Sequence, residues 1–343
     1  MTPRITKIFL IASILFAGFL TWRLFAIQPT GVVVLYCAHD MQLADPVIRA
    51  FSEATGIRVL VQFDTEATKS LGLVERLKQE QGDARADVFW NNEQLGTMDL
   101  AEAGVLDVYQ GPGWNRIPER YRDPAGRWAG FAARLRVELE REGCQGRKPG
   151  EGAIAKPLYG TTLTHYSALW ARHGGEAVKR WHAESRQAGL AEVDGNGAVK
   201  RVVAEGAKQW GLTDTDDAFE ALAGKAPVRM QPARVRFLPA LAGVADDAKA
   251  PTIAIPNTAA LVKGCKHPEE ARKLLDFLLS AEVELLLANG SARQVPLGPV
   301  DETRLPEPVR ALRPAVAEGL PLAEVFAARA PCLAWLKEEY AGK

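Results

Sequence analysis

Short apolar, β-branched runs alternate with amphipathic stretches along most of this chain, and that alternation limits the fold more than any other feature. VVVLY (32–36) reads as a buried strand. Asp45 followed by Pro46 predicts a helix start, Leu43, Val47 and Phe51 line one face of that helix, and Gly56 stops it. RVLVQF (58–63) is the next strand, LGLVERLKQEQG an amphipathic helix ending at Gly82, DVFW (87–90) a third strand and QLGTMDLAEAG (94–104) a third helix. A segment rich in glycine, basic residues and proline (141–157) breaks the pattern. Helices are then expected after Gly160, through Val178–Trp181 and from Asn196 to Glu205, with strand QWGLT and a helix from about Asp216. TIAIPNTAALVKG (252–264) predicts strand and turn, and PEEARKLLDFLLS (268–280) a helix with proline at its start. Strand and helix joined by short links describe an α/β chain whose mainly parallel sheets are covered by helices. Two such lobes are expected, one from 31–140 with 251–300 and one from 141–250, followed by a helical tail at 301–343.

The first thirty residues differ in kind. Arg4 and Lys7 precede IFLIASILFAGFLTW, and apolar character continues to Ile27 with Arg23 as an interruption. A positive flank before an apolar block is an export signal. The block at 8–27 approaches the length of a spanning helix, so it reads as a signal peptide or a membrane anchor. The positive-inside rule places residue 30 onward outside the cytoplasm. Four cysteines, Cys37, Cys144, Cys265 and Cys332, permit disulfides in that compartment, but their wide spacing is equally that of isolated core residues.

Lysine plus arginine equals aspartate plus glutamate, 42 each, so net charge gives no argument for a nucleic-acid partner. GxSxG, HExxH, the phosphate-loop lysine pattern and the dinucleotide glycine fingerprint are all missing from the sequence, which argues against an enzyme.

Ligands of parallel α/β sheets bind beyond the carboxyl ends of the strands. Those ends carry His39 and Asp40, then Thr65, Glu66 and Thr68, then Asn91, Asn92 and Glu93, then Thr161 and Thr162, then Asp194, and finally Asp214, Asp216 and Asp217. Capping explains one acid per link. Three aspartates within TDTDD exceed that need, and like charges crowd together only where a cation or donors sit among them. Asp214, Asp216 and Glu66 are therefore candidate metal-ligating carboxylates, while capping and binding both stand for Asp217. His39 reads either as a ligand or as an ordinary loop histidine. Of Arg134 and Arg136, one is expected to reach the cleft and the other to lie on a solvated strand face.

YCAHD, TGIRVLVQFDTEATKSLGLVERL, ADVFWNNE, DPAGRWAGFAAR, KPLYGTTLTH, GLTDTDD and IPNTAALVKGCKHPEEARKLLDFLLS occur in that order. Together they resemble the extracellular solute-binding proteins of ABC importers, and within these the ferric-ion-binding-like group. The resemblance implies a two-lobed clamshell of the type II periplasmic kind that closes on a small ligand and docks on a membrane permease. It also implies a monomer. Ferric binders of this fold commonly present adjacent tyrosines near the position of TDTDD. This chain departs from that pattern, with Asp216-Asp217 there, whose carboxylates are hard oxygen donors for a cation and equally partners for an ammonium group. The resemblance implies Fe3+ or another hard cation carried with a small anion as the cargo. An organic amine or zwitterion such as a polyamine or aminophosphonate is an alternative. A tethered ligand sensor and an acid-dependent hydrolase are rival functions.

Overall fold

The computed structural model describes residues 30–64, 72–245 and 247–341. The expected export segment and Thr65, Glu66 and Thr68 lie outside the described residues.

The first arm of the sheet is laid down by β1 (Gly31–Cys37), α1 (Met41–Thr55), β2 (Ile57–Phe63), α2 (Gly72–Gln79), β3 (Val88–Asn91) and α3 (Gln94–Glu102). β1 pairs in parallel with both β2 and β3. Helix α1 starts four residues before the predicted Asp45 cap and carries Pro46 inside it. Burial of Ala44, Val47, Ile48 and Phe51 drives the helix back through that point, since tertiary packing outweighs one missing backbone bond. Gly56, at φ 71°, closes it with an amide to Ser52 O, in the left-handed conformation that glycine adopts without strain.

After the short α4 (Pro112–Arg116), the thirteen-residue strand β4 (Ala129–Arg141) links two halves of the molecule. The chain continues through β5 (Gly152–Ala155), α5 (Gly160–His173), α6 (Gly175–Gln187), β6 (Ala191–Val193), α7 (Asn196–Ala204), β7 (Trp210–Asp214), α8 (Thr215–Ala223) and β8 (Val228–Pro232). It returns along β9 (Ala254–Leu261) to α9 (Pro268–Leu278), α10 (Ala281–Asn289), α11 (Glu307–Ala317) and α12 (Leu322–Tyr340). Strand order is β2-β1-β3-β9-β4-β7-β5-β6, with β8 also on β4. The second arm repeats the parallel pattern, with β5 between β6 and β7. Only the crossing strands run the other way: β9 is antiparallel to β3 and β4, and β4 is antiparallel to β7 and β8. The first half of β4 thus belongs to one arm and its second half to the other.

Helix α12 closes the second half, burying Cys332 and Leu336 in the cluster that holds Leu163, Tyr166, Leu169 and Trp181. Leu95, at the start of α3, packs into that same cluster. All four cysteines are free. Among the described residues no helix is long and apolar enough to cross a membrane.

Candidate functional site

A cavity of about 730 Å³ opens between the halves, at the carboxyl ends of the parallel strands. Asp40 and Asn92 line it from the first half, and Thr161, Thr162, Asp194, Asp214, Asp216 and Asp217 from the second. His39, Asn91 and Glu93 stand behind the wall instead. His39 is buried with the Asp40 amide 2.7 Å from its Nδ1, Gln294 Nε2 2.8 Å from its Nε2, and its ring edge-on to Trp90. The Asn91 amide donates to Thr97 Oγ1. Glu93 caps α3, accepting from the amides of Leu95 and Gly96, and it also accepts from Thr164 Oγ1 of α5 at 2.8 Å. Burial raises the Glu93 carboxyl above its ordinary range, with nearby Arg329 and its three donors opposing that shift. Thr164→Val is expected to cost about 1–2 kcal/mol in urea unfolding, because a buried carboxylate loses one of its donors.

Neither Arg134 nor Arg136 is solvated. Arg136 is fully buried and Arg134 nearly so, because β4 is buried along all but its last residue. Arg136 Nη1 donates to Asp214 Oδ1 at 2.7 Å and lies within reach of Thr161 Oγ1 and Asn196 Oδ1. The other oxygen of Asp214 accepts from Thr161 Oγ1 and Asn196 Nδ2. Asp214 therefore occupies the N-cap position of α8 without capping it, its carboxylate being committed to Arg136. Arg134 Nη1 faces Asp216 Oδ2 at 3.2 Å, and Asp216 Oδ1 accepts the amide of Asp217. Asp217 accepts from Thr213 Oγ1, with Lys200 Nζ 3.9 Å away. Burial, then the charges of Asp216 and Asp214, push the Asp217 carboxyl up to about 7. Asp216 is raised too, chiefly by burial, against the pull of Arg134. The crowding in TDTDD is thus largely answered from within, by two arginines arriving on another strand.

Donors also face the cavity, beside Asp40, Asp194, Asp217 and Glu220. Helices α5 and α7 begin on the cavity wall at Gly160 and Asn196, and neither has a side-chain cap. Their first amides and the positive ends of their dipoles favour anionic oxygen. Lys156 and Lys200 sit on the rim, the former 3.1 Å from Asp194. Tyr159, the residue before α5, adds a phenol. Local reading of the sequence located the starts of α5 and α7 but not Tyr159, Lys156 or Lys200, which carry no signal of their own. Among the described residues no three His, Cys, Asp or Glu side chains are placed to hold a metal ion.

Two arms of parallel sheet, joined by antiparallel crossing strands and opening a polar cavity at their common edge, define a two-lobed ligand-binding protein. The bacterial extracellular solute-binding protein family matches residues 40–284, and the chain belongs to that family. It is accordingly an extracytoplasmic binding protein and not an enzyme. Among solved structures it is similar to iron-bound HitA from Pseudomonas aeruginosa, with TM-score 0.71 and 19% identity over 90% of this chain and 98% of that one. It is similar as well to Trichodesmium FutA in complex with iron and citrate, with TM-score 0.68 and 20% identity over 91% of this chain and all of that one. In sequence, iron uptake protein A1 of Synechocystis is 28% identical over 118 residues, which is 32% of this chain and only 29% of that relative.

Proposed function

We propose that this protein captures a hard metal cation, ferric iron in the first instance, together with a small anion, and delivers it to an ABC permease in the membrane. The observation that carries this reading is the pair of uncapped helix starts, α5 and α7, on a wall whose Asp214 and Asp216 are already neutralised by arginines. Such a wall receives an anion readily and a bare cation poorly. The anion would occupy the helix starts, and the metal would face Asp217 and Tyr159 on one side and Asp40 on the other. HitA and FutA, both solved with iron, share the fold, and FutA holds citrate as well.

The lobes in this reading are 31–140 with 251–300, and 141–250, with 301–343 as a tail; the change of partner along β4, from β9 to β7 and β8, supports two lobes joined along that strand. The apolar segment 8–27 would export the chain and could tether it there.

Isothermal calorimetry with ferric citrate, citrate alone and spermidine tests the cargo. Ferric citrate is expected to bind, and citrate alone about tenfold or more weaker. Silence toward ferric citrate combined with a clear spermidine isotherm would overturn the metal in favour of an organic amine.

A further inference from the structure

We propose that Arg134 is the specificity-determining residue of the cleft: a resident cation that occupies Asp216, excludes bare cations, and admits cargo that brings its own negative charge. The proposal rests on the reading of the cargo as a metal–anion complex and goes beyond it by naming what rejects the free ion.

Three observations converge on this residue. First, its guanidinium spans the gap between the halves. Nη2 donates to the carbonyl of Asn92, on the loop after β3, at 2.6 Å, while Nη1 faces Asp216, in the first turn of α8, at 3.2 Å and Asp214, at the end of β7, at 3.4 Å. Second, both oxygens of Asp216 already hold a donor, Oδ1 the Asp217 amide and Oδ2 Arg134. A cation seeking that carboxylate approaches against the charge of the arginine or displaces it and breaks its link to Asn92. Third, Arg134 lines the cavity while only 6% exposed. A largely desolvated guanidinium on the wall favours an anionic oxygen on the cargo. A guanidinium stays charged at any working pH. Burial alone would lower its proton affinity, but Asp216, Asp214 and Asp40 outweigh burial and raise it. Asp214 does not share this role, because Arg136 already neutralises it from deeper in the strand.

The test uses terbium(III) as the bare hard cation, followed by luminescence sensitised from the protein's aromatic residues, and ferric citrate as the complex, followed by calorimetry. Wild type is expected to take ferric citrate and to hold terbium weakly. Arg134→Gln should tighten terbium by about tenfold or more and weaken ferric citrate by a similar factor. Arg134→Lys keeps the charge and should keep the rejection of terbium. Adding Asp216→Asn to Arg134→Gln should erase the gain, since the gain acts through that carboxylate. Asp216→Asn alone, which leaves both arginines in place, should not change terbium affinity. The proposal is overturned if Arg134→Gln gains nothing for terbium, if the gain survives without Asp216, or if Asp216→Asn alone costs wild type tenfold in terbium. Should wild type ignore ferric citrate while Arg134→Gln still gains terbium, the cargo reading falls and the role of Arg134 stands.

Discussion

Arg136→Met is expected to destabilise the protein by about 3–5 kcal/mol, the usual cost of removing one member of a buried ion pair. Both members are fully buried, with Arg136 Nη1 2.7 Å from Asp214 Oδ1. Methionine replaces the stem of the arginine but leaves the Asp214 carboxylate facing only Thr161, Asn196 and the more distant Arg134 at 3.4 Å. Urea unfolding should show a lower midpoint with an unchanged slope. The paired change Arg136→Met with Asp214→Leu is expected to recover much of the loss, because a buried pair exchanged for apolar groups is often neutral. If the single variant loses less than about 1 kcal/mol, the pair is not the clamp that joins β4 to β7. The same substitution bears on binding, since Asp214, Thr161 and Asn196 together fix the starts of α5 and α7 relative to one another.

How much of this was legible in the sequence depends on the range of the interactions. Strands β1, β2, β3 and β7 announce themselves in apolar runs, and α9 in its opening proline, because these signals are local. β5 does not. It is four residues long and opens with Gly152, which a strand propensity would reject. The structure supplies the reason: a Cβ at 152 would lie 2.2 Å from Cζ2 of Trp210 on the neighbouring strand. The start of α1 was misplaced because Pro46 is a strong local signal for a helix start, and burial of Ala44 overrode it. Strand ends pointed to the edge of the sheet where the cavity opens, and Asp40, Asn92, Thr161, Thr162, Asp194 and the aspartates of TDTDD gather there. The partners of those aspartates were illegible. Arg134 and Arg136 lie about eighty positions before them in the chain, and nothing short-range in the sequence couples a β4 arginine to the turn after β7. His39 and Glu93 were drawn to the cleft by position alone, while the hydrogen bonds that turn them inward come from Gln294 and from α3 and α5.

The other large effect is expected at Asp217 and depends on pH. Its carboxyl titrates near 7 in the folded protein, raised by burial first and then by Asp216 and Asp214, with Thr213 and Lys200 pulling down, whereas an unfolded chain releases that proton near 4. Between those values the folded state binds the proton and the unfolded state does not. Stability from this group is therefore undiminished below about pH 4, falls as pH rises toward 7, and stays reduced above it. The side chain retains 16% exposure, so the loss stays below the full linkage value and is about 2 kcal/mol at pH 8. Asp217→Asn removes the titration while keeping the shape. The variant should match wild type at pH 4 and be more stable by about that amount at pH 8, measured by chemical unfolding across the range. Equal stabilities at pH 8 would show that the carboxylate is comfortable where it stands. The same physics predicts proton release on binding. A metal placed against Asp217 favours the ionised form, so at pH 6 the cargo must expel the proton, and calorimetry in buffers of different ionisation enthalpy should register its departure. At pH 8 the proton is already gone and that contribution should vanish. A cargo that approached only through its anion would expel no proton at pH 6 either, which separates a metal seated on Asp217 from one held elsewhere in the cleft.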